Sequence, residues 1–437
     1  METKKTAAII TLGCRLNQAD SALITSRLRK MNFEIVSADS SSSPNLIFVN
    51  SCAVTAIASK KSRQALKAIR EENPQSFIVM IGCSANVDSK QLEKMGECDL
   101  ILTNEQKKDI EKILPRYLAD LKVEKSPAIK KSTDKNIFFE HADSAFPFKS
   151  RAILKIQEGC ENFCSYCIVP FSRGKERSRD LEETVADFQQ LVQSGFHEIV
   201  LSGVNICNYR CKKYNLTDLI ERLLEIPGDY RIRLSSTEPS EIVPDLIHCI
   251  AAHPDKICRF LHLPAQHCCD AVLKAMKRRY SVADYLAMVK MAKENIPDIH
   301  LGTDLIVGFP GETDDFFQES CDNIRKVGFA NIHIFPFSPR PGTEAEKMTD
   351  RPTGEILEQR LETMRTIKAE SADNFIHSLY GHSEMVLVET KNENGICEGW
   401  SGNYVKTRFH GDNVPPRTLV KVKFKKKLTD GTVAAEL

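Results

Sequence analysis

Gly159-Cys160-Glu161-Asn162-Phe163-Cys164-Ser165-Tyr166-Cys167 decides how the rest of the chain is read. Its cysteines are spaced C-x3-C-x2-C and follow directly on the apolar run 152–156, a candidate strand. Three thiolates on one loop suit an iron–sulfur cluster. A 4Fe–4S cube takes four ligands, so one iron is left open for another molecule. Zinc is the alternative, but a structural zinc wants four closed ligands, and no further Cys or His stands nearby.

Outward from this loop, strand and helix patterns alternate. Strands are expected at 152–156, 197–202, 231–235, 259–263, 301–307 and 331–335. Helical patterns follow at 182–194, 216–224, 241–252, 282–295, 313–327 and 354–379. Six such units joined by right-handed crossovers curl into a partial (β/α)6 barrel, open at one side. Upstream, the apolar runs 7–12, 46–50, 77–82 and 99–103 alternate with helical patterns at 17–31, 55–72 and 105–121. That alternation reads as an open, mostly parallel α/β sheet. Downstream the pattern turns to period two, with short strands at 384–390, at 419–424 and around Ala434, as in a small antiparallel β-barrel. The α/β chain therefore divides into an N-terminal sheet domain (1–121), a linker (122–150), the central barrel (151–379) and a C-terminal barrel (380–437). The linker holds one apolar clump, Ile137-Phe138-Phe139, and the serine run at 40–43 reads as loop.

Composition excludes several classes. Of 437 residues, 60 are Lys or Arg and 59 are Asp or Glu, a net charge of +1. No global bias names a partner, so any nucleic-acid surface is a local patch. No apolar run approaches the ~20 residues that span a bilayer, and the run at 7–11 is too short for a signal-peptide core. A cytoplasmic protein with no membrane partner is expected. Fifteen cysteines in such a chain point to metal or redox chemistry rather than disulfides. No Walker A, dinucleotide fingerprint or HExxH string appears, which leaves nucleotide hydrolysis and zinc proteolysis without support.

Three more cysteines stand out by position. Cys14, Cys52 and Cys83 each fall just past the carboxyl end of an expected parallel strand. In an open sheet those ends share one crevice, so the thiols converge without a short-range motif. Unrelated buried thiols are the alternative. At the barrel mouth, Gly203 permits close backbone approach, and Ser235 and Gln266 end the third and fourth strands. Cys207, Cys211, Cys268 and Cys269 lie on two mouth-side loops without an assigned role, and Cys98, Cys249, Cys258, Cys321 and Cys397 read as structural.

The basic patch lies near the end. From Lys406 to Lys427 there are eight Lys or Arg against one acid, Asp412. Lys421, Lys423 and Lys425 alternate with Val420, Val422 and Phe424, which makes one strand face cationic. Small antiparallel barrels with such a face bind nucleic acid; a solvated edge strand guarded by lysines is the alternative. Trp400, Tyr404 and Phe409 are candidates for base stacking, with core packing as the alternative.

With Tyr166 as its aromatic, the C-x3-C-x-Φ-C loop resembles that of the radical S-adenosylmethionine (SAM) superfamily. The resemblance implies that SAM binds the open iron and is cleaved by one electron to a 5′-deoxyadenosyl radical. Leu12-Gly-Cys14-Arg-Leu-Asn17-Gln18, Val49-Asn-Ser-Cys52-Ala-Val-Thr55 and Ile81-Gly-Cys83 resemble the N-terminal domain of the methylthiotransferases. So do Gln157-Glu-Gly-Cys160, Pro170-Phe-Ser-Arg173-Gly174, Asp304-Leu-Ile-Val-Gly308-Phe-Pro-Gly-Glu312 and Phe337-Ser-Pro-Arg340-Pro-Gly-Thr343. That family implies two 4Fe–4S clusters, one on Cys160, Cys164 and Cys167, the other on Cys14, Cys52 and Cys83. In the radical SAM enzymes a loop like that at Gly203 often lies against the SAM amino group, an everyday turn being the alternative; Ser235 and Gln266, at strand ends facing the mouth, are candidates for its ribose or carboxylate, ordinary strand ends being the alternative, and Tyr166 completes the expected SAM contacts. The methylthiotransferase family also implies an external electron donor, a sulfur source and the tRNA anticodon stem-loop as partners. The C-terminal region is similar in position to the TRAM module, with RNA contacts at Lys421, Lys423 and Lys425.

Arg15-Leu16-Asn17-Gln18 and Ser235-Ser-Thr-Glu238 resemble the threonylcarbamoyladenosine branch, where the isopentenyladenosine branch has Gln-Met-Asn-Glu and Thr-Ser-His-Pro. The expected reaction is methylthiolation at C2 of N6-threonylcarbamoyladenosine next to the anticodon. The same reaction on N6-isopentenyladenosine is the runner-up. A two-cluster electron carrier and an RNA-binding protein with structural clusters are the alternatives from other classes. Gln266-His267-Cys268-Cys269 departs from the family's usual Gln-Ser-Gly, and Cys207 and Cys211 stand where Gly or Ser is commoner.

Overall fold

Every position of the strand Leu46–Ser51 is buried, and this strand centres the N-terminal sheet. The structure, a computed structural model, describes residues 5–37, 43–119 and 150–437. The expected linker, apart from Ser150, and most of the serine run at 40–43 lie outside the described residues. The N-terminal strands are β1 (Thr6–Thr11), β2 (Glu34–Ile35), β3 (Leu46–Ser51), β4 (Phe77–Gly82) and β5 (Leu100–Ile101). They run in the order β2-β1-β3-β4-β5, with every neighbouring pair parallel. Ile24 and Leu28 of helix Arg15–Lys30 cover one face against Phe48. Leu66 and Ile69 of helix Ala56–Glu72 cover the other against Val49 and Met80. Sequence patterning misses β2, which is two residues long and half polar. It also misses the short helices Cys83–Val87 and Ser89–Met95.

The central barrel has the six expected strands. These are β6 (Ala152–Lys155), β9 (Glu198–Ser202), β10 (Arg231–Leu234), β11 (Phe260–His262), β12 (His300–Val307) and β13 (Asn331–Pro336); a small hairpin, β7 (Gln157–Glu158) with β8 (Arg177–Ser178), follows the first. The sheets β10-β9-β6 and β11-β12-β13 are joined by bridges Ile232↔Ile257 and Ser236↔His262. The arc stays open between β6 and β13 among the described residues. Leu154, Leu201 and Leu234 pack into the helix-side core. On the other side of the sheet, Ile153 and Val200 meet Ala19 of the first helix, so the N-terminal domain docks on the inner face of the open barrel.

The C-terminal domain is a closed barrel of β14 (Ser383–Lys391), β15 (Ile396–Ser401), β16 (Lys406–His410), β17 (Leu419–Lys427) and β18 (Val433–Glu436), ordered β14-β15-β16-β18-β17. Patterning misses β15 because its inward positions are Cys397, Gly399 and Ser401 rather than aliphatics. The edge-strand alternative for β17 is wrong: β17 pairs with β14 on one side and β18 on the other. Lys421, Lys423 and Lys425 are exposed while Val422 and Phe424 are buried, the expected alternation. The stacking candidates are corrected. Phe409 lies in the barrel core, and Trp400 stacks on Tyr404 at 4.6 Å between ring centres. Tyr404 in turn meets Phe260 of the central barrel at 4.9 Å, so these rings join domains instead of facing solvent.

A buried carboxylate fixes that junction. Glu198 accepts from Arg231 Nε at 2.7 Å and Arg233 Nε at 2.6 Å. The same guanidinium groups donate to the carbonyls of Trp400 at 2.8 Å and Ser401 at 2.9 Å. Burial alone would raise the Glu198 carboxyl; Arg233 and Arg231 outweigh it and hold it well below the ordinary range.

Candidate active site

The cysteine loop is built on a glycine. Gly159 has φ +77°, and a Cβ there would stand 1.9 Å from the Lys175 carbonyl oxygen, so only glycine fits. Ser165 then ties the loop down: its N–H donates to the Met276 carbonyl (3.1 Å) and its hydroxyl to that of Ala275 (2.8 Å). Cys160, Cys164 and Cys167 share a cavity of about 290 Å³ at the carboxyl ends of the strands, also lined by Tyr166, Gln266 and Arg278. Burial and the neighbouring Cys164 push the Cys167 thiol up to about 12, and burial pushes Cys160 up to about 11. Thiols crowded this way ionise readily only beside a cation. No fourth cysteine lines the cavity among the described residues. Three thiols beside a void fit a cluster with one iron open to a ligand.

Arg278 donates to Cys164 Sγ at 3.4 Å and pairs with Glu238. Tyr166 stands edge-on to Phe309, ring centres 6.4 Å apart. Gln266 takes φ +62°, its N–H donating to the Asp304 carbonyl at 2.8 Å. Gly203 and Ser235 line a second cavity, of about 480 Å³. At Gly203 the close neighbour is Gln157, whose Cβ would lie 3.0 Å from an added Cβ. Gln157 Oε1 accepts from the N–H groups of Val204 (3.0 Å) and Asn205 (2.9 Å), fixing the loop after β9.

Cys14, Cys52 and Cys83 do converge. The registers Thr11↔Asn50 and Ser51↔Gly82 level the carboxyl ends of β1, β3 and β4. Gly13, at φ +96°, turns the chain so tightly that an added Cβ would stand 3.0 Å from Cys52 Sγ. Hydroxyls of Ser62 and Ser84 both donate to the Cys52 carbonyl, at 3.0 and 2.9 Å. Burial raises the Cys52 thiol to about 11, with Cys83 and Cys14 pushing the same way. The Arg173 guanidinium faces Cys83 and Cys14 and donates to Asn17 Oδ1 at 2.5 Å. Val54 and Thr55, just past Cys52, line the same cavity as Cys160, and Cys14 lines the adjoining cavity, which shares Ser236, Asp304 and Phe335 with the first; Cys52 and Cys83 are themselves buried.

A second buried carboxylate holds the mouth together. Asp20 accepts from Lys107 (2.5 Å), Lys155 (2.9 Å) and Arg173 (2.8 Å). Burial would raise it, but Lys107, Lys155 and Arg173 together hold it well below the usual carboxylate range. Arg173 also binds Glu158 at 2.9 Å. Burial opposes ionisation of Glu158, and Lys155, Arg177 and Arg173 still hold it near 2. Sequence reasoning misses this network. Arg173 lies inside a recognisable motif, but Asp20 and Lys107 sit in helical patterns with nothing to mark them.

The extra cysteines lie on the loops after β9 and β11, as expected, and Cys207 lines a cavity together with Cys164. Cys207 and Cys268 belong to the helix-side core, and Cys269 is equally buried. Cys211 is half-buried, its thiol 3.7 Å from Asp180. Cys98, Cys249, Cys258, Cys321 and Cys397 are all buried, as expected. No helix among the described residues is long and apolar enough to cross a membrane.

Residues 154–324 match the Radical SAM superfamily, and residues 6–103 match an uncharacterized protein family, UPF0004. The chain is 32% identical over 421 residues to the threonylcarbamoyladenosine tRNA methylthiotransferase MtaB of Thermotoga maritima, covering 96% of this chain and 94% of that one. It is 33% identical over 432 residues to the MtaB of Bacillus subtilis, covering 96% and 94%. A tRNA-2-methylthio-N(6)-dimethylallyladenosine synthase of Syntrophotalea carbinolica is 33% identical over 393 residues, covering 88% of each. Among solved structures, the radical SAM methyltransferase TsrM of Kitasatospora setae shares the fold, with a TM-score of 0.56 at 15% identity, covering 78% of this chain and 77% of that one. Identity at this level, sustained from the N-terminal sheet into the last barrel, settles the lineage: the chain belongs to the radical SAM tRNA methylthiotransferases.

Proposed function

We propose that this tRNA methylthiotransferase acts at C2 of N6-threonylcarbamoyladenosine beside the anticodon. The observation that carries the reading is two adjoining cavities, one lined by Cys160, Cys164 and Cys167 and the other by Cys14, beside which Cys52 and Cys83 converge. Cys160, Cys164 and Cys167 would hold a 4Fe–4S cluster, and the cavity they line has room for SAM beside it. Cys14, Cys52 and Cys83 hold a second cluster and the sulfur to be inserted. When bound, the first cluster and SAM supply the 5′-deoxyadenosyl radical.

The chain's own residues do the rest. Arg278, pinned by Glu238, orients Cys164. Gln157 fixes the loop at Gly203, and Tyr166 and Gln266 wall the SAM side. Arg173 offsets negative charge at Cys83 and Cys14 while anchoring the domain that carries them. Helix Arg15–Lys30 on the inner face and Tyr404 at the far end keep water from the barrel interior, which protects a radical. Lys421, Lys423 and Lys425 contact tRNA phosphates, in a cytoplasmic enzyme served by an external electron donor and sulfur source. The substrate choice is supported by the names of the Thermotoga maritima and Bacillus subtilis relatives and by Arg15-Leu16-Asn17-Gln18.

Mass spectrometry of tRNA nucleosides from cells with and without the gene tests the reading. Deletion is expected to remove the 2-methylthio form of threonylcarbamoyladenosine and leave the unmethylthiolated nucleoside. Loss of the isopentenyl counterpart instead would overturn the assignment.

A further inference from the structure

The second cavity is continuous with the first: Ser236, Asp304 and Phe335 line both. It runs inside the barrel from Cys14 and Arg15 to Tyr404. Its wall is polar. His262, Asp304 and His333 come from the adjacent strands β11, β12 and β13, with Asp304 level with His333. His262 Nε2 lies 3.1 Å from Asp304 Oδ1. The ring of His262 has room because residue 302 is glycine; an added Cβ there would stand 2.7 Å from His262 Nδ1. Asp304 is the single carboxylate among the residues lining this cavity.

Two buried polar atoms on this wall have no partner among the described residues: Ser235 Oγ and His300 Nδ1. A buried polar group without a hydrogen bond costs stability, which marks a place for a polar ligand. Arg15 adds the charge. Among the described residues one of its five donors is used, Nη2 donating to the Tyr404 hydroxyl at 2.6 Å, and a guanidinium fork suits a planar anion. Burial holds His333 below its ordinary range against the opposing pull of Asp304, with His262 and Arg15 pushing the same way as burial. An apolar substituent here would desolvate Asp304 and Arg15 without replacing their hydrogen bonds.

We propose that the inner cavity receives a nucleobase substituent that carries both a carboxylate and amide N–H groups, its carboxylate on Arg15 and an N–H on Asp304. This rests on the proposed function, in which the modified base enters at the mouth, and it makes Arg15, in the stretch 15–18 that resembles one branch, the residue that selects an amino-acid carbamoyl group over a prenyl group, while Asp304, in a stretch common to the family, adds a hydrogen bond. The cavity sets the chemical class of the substrate from its own wall.

The test uses the reconstituted full-length enzyme and two anticodon stem-loops, one carrying threonylcarbamoyladenosine and the other its threonine methyl ester. The ester keeps the shape and removes the charge. Wild type is expected to bind the acid form roughly ten- to a hundredfold tighter than the ester, the range for a hydrogen-bonded charge. Arg15→Met is expected to bring that ratio toward one, and Arg15→Lys to restore part of it. Equal wild-type affinities, or a ratio unchanged in Arg15→Met, would overturn the assignment. If Arg15→Met melts early, the wild-type ratio still decides. His262, Asp304 and His333 have ligand atoms within 4.8 Å of one another, so a zinc titration of the same protein is run in parallel. Zinc held by this trio, with no acid-to-ester discrimination, would reassign the cavity to a metal. Methylthiolation of isopentenyl but not threonylcarbamoyl RNA would instead sink the functional reading. Methylthiolation of the acid form with equal affinities sinks only the pocket.

Discussion

Cys160, Cys164 and Cys167 lie within one loop, whereas Cys14, Cys52 and Cys83 need three strands of a five-stranded sheet to meet. The loop set is placed by Gly159 and by the Ser165 hydrogen bonds. The sheet set depends on the β1, β3 and β4 registers, on Gly13, and on the Asp20 network that presses one domain against the other. Local spacing builds the first site; the global fold builds the second. Two sites with the same ligand type beside adjoining cavities therefore differ in what can break them.

Removing the loop set is expected to have the largest effect. With Cys160, Cys164 and Cys167 changed to Ala, SAM cleavage should vanish, and reconstituted iron should fall from about eight to about four per chain. Iron assay and 5′-deoxyadenosine chromatography read both; wild-type iron matching one cluster would break the comparison at its root. Replacing Cys14, Cys52 and Cys83 by Ala should leave 5′-deoxyadenosine formation and abolish methylthiolated tRNA. Product formed without them would mean that the second trio holds no sulfur.

The domain contact comes next. Asp20→Asn leaves Lys107 buried without its carboxylate and Lys155 and Arg173 with Glu158 alone, a loss of ~3–5 kcal/mol by analogy with broken buried pairs. Urea unfolding measures it, and a change under about 1 kcal/mol would show that the network does not hold the domains. Acid probes the same junction. Glu158 is held near 2 in the fold, against 4.5 ordinarily. Its folded value is depressed, so its contribution is full above about 4.5 and fades as pH falls toward 2. Stability measured down that range should drop more steeply in wild type than in Glu158→Gln.

The smallest effect sharpens the picture at the other end of the molecule. Changing Lys421, Lys423 and Lys425 to Glu should weaken tRNA binding. The slope of log K against log salt should shrink by roughly 0.7–0.9 for each phosphate no longer neutralised. SAM cleavage without tRNA should be unaffected. Superimposable slopes would retire the RNA-platform assignment.

The central barrel was legible because its strands are short apolar runs at regular spacing, with Leu154, Leu201 and Leu234 facing the helices. The places of the six cysteines proposed as cluster ligands were legible too, three by spacing and three by their position after strands. What stayed hidden was whatever depends on two elements meeting. His262, Asp304 and His333 are ordinary residues until β11, β12 and β13 align them. Trp400 and Tyr404 read as either base stackers or core rings because period-two patterning does not tell solvent from another domain. Strand β15 was hidden because its core positions are small, and Asp20 because its partners come from two domains.

Tyr404 carries one more consequence. The ring belongs to the C-terminal barrel, yet it sits against Phe260 and under Arg15, stoppering the end of the central tube opposite the cysteine loop. The C-terminal barrel thus does more than present the lysines of β17. Cut it away and the tube becomes a pipe open at both ends, its interior wetted and its radical free to be quenched. Such a truncated enzyme would be expected to burn SAM in futile turnover rather than merely miss its tRNA.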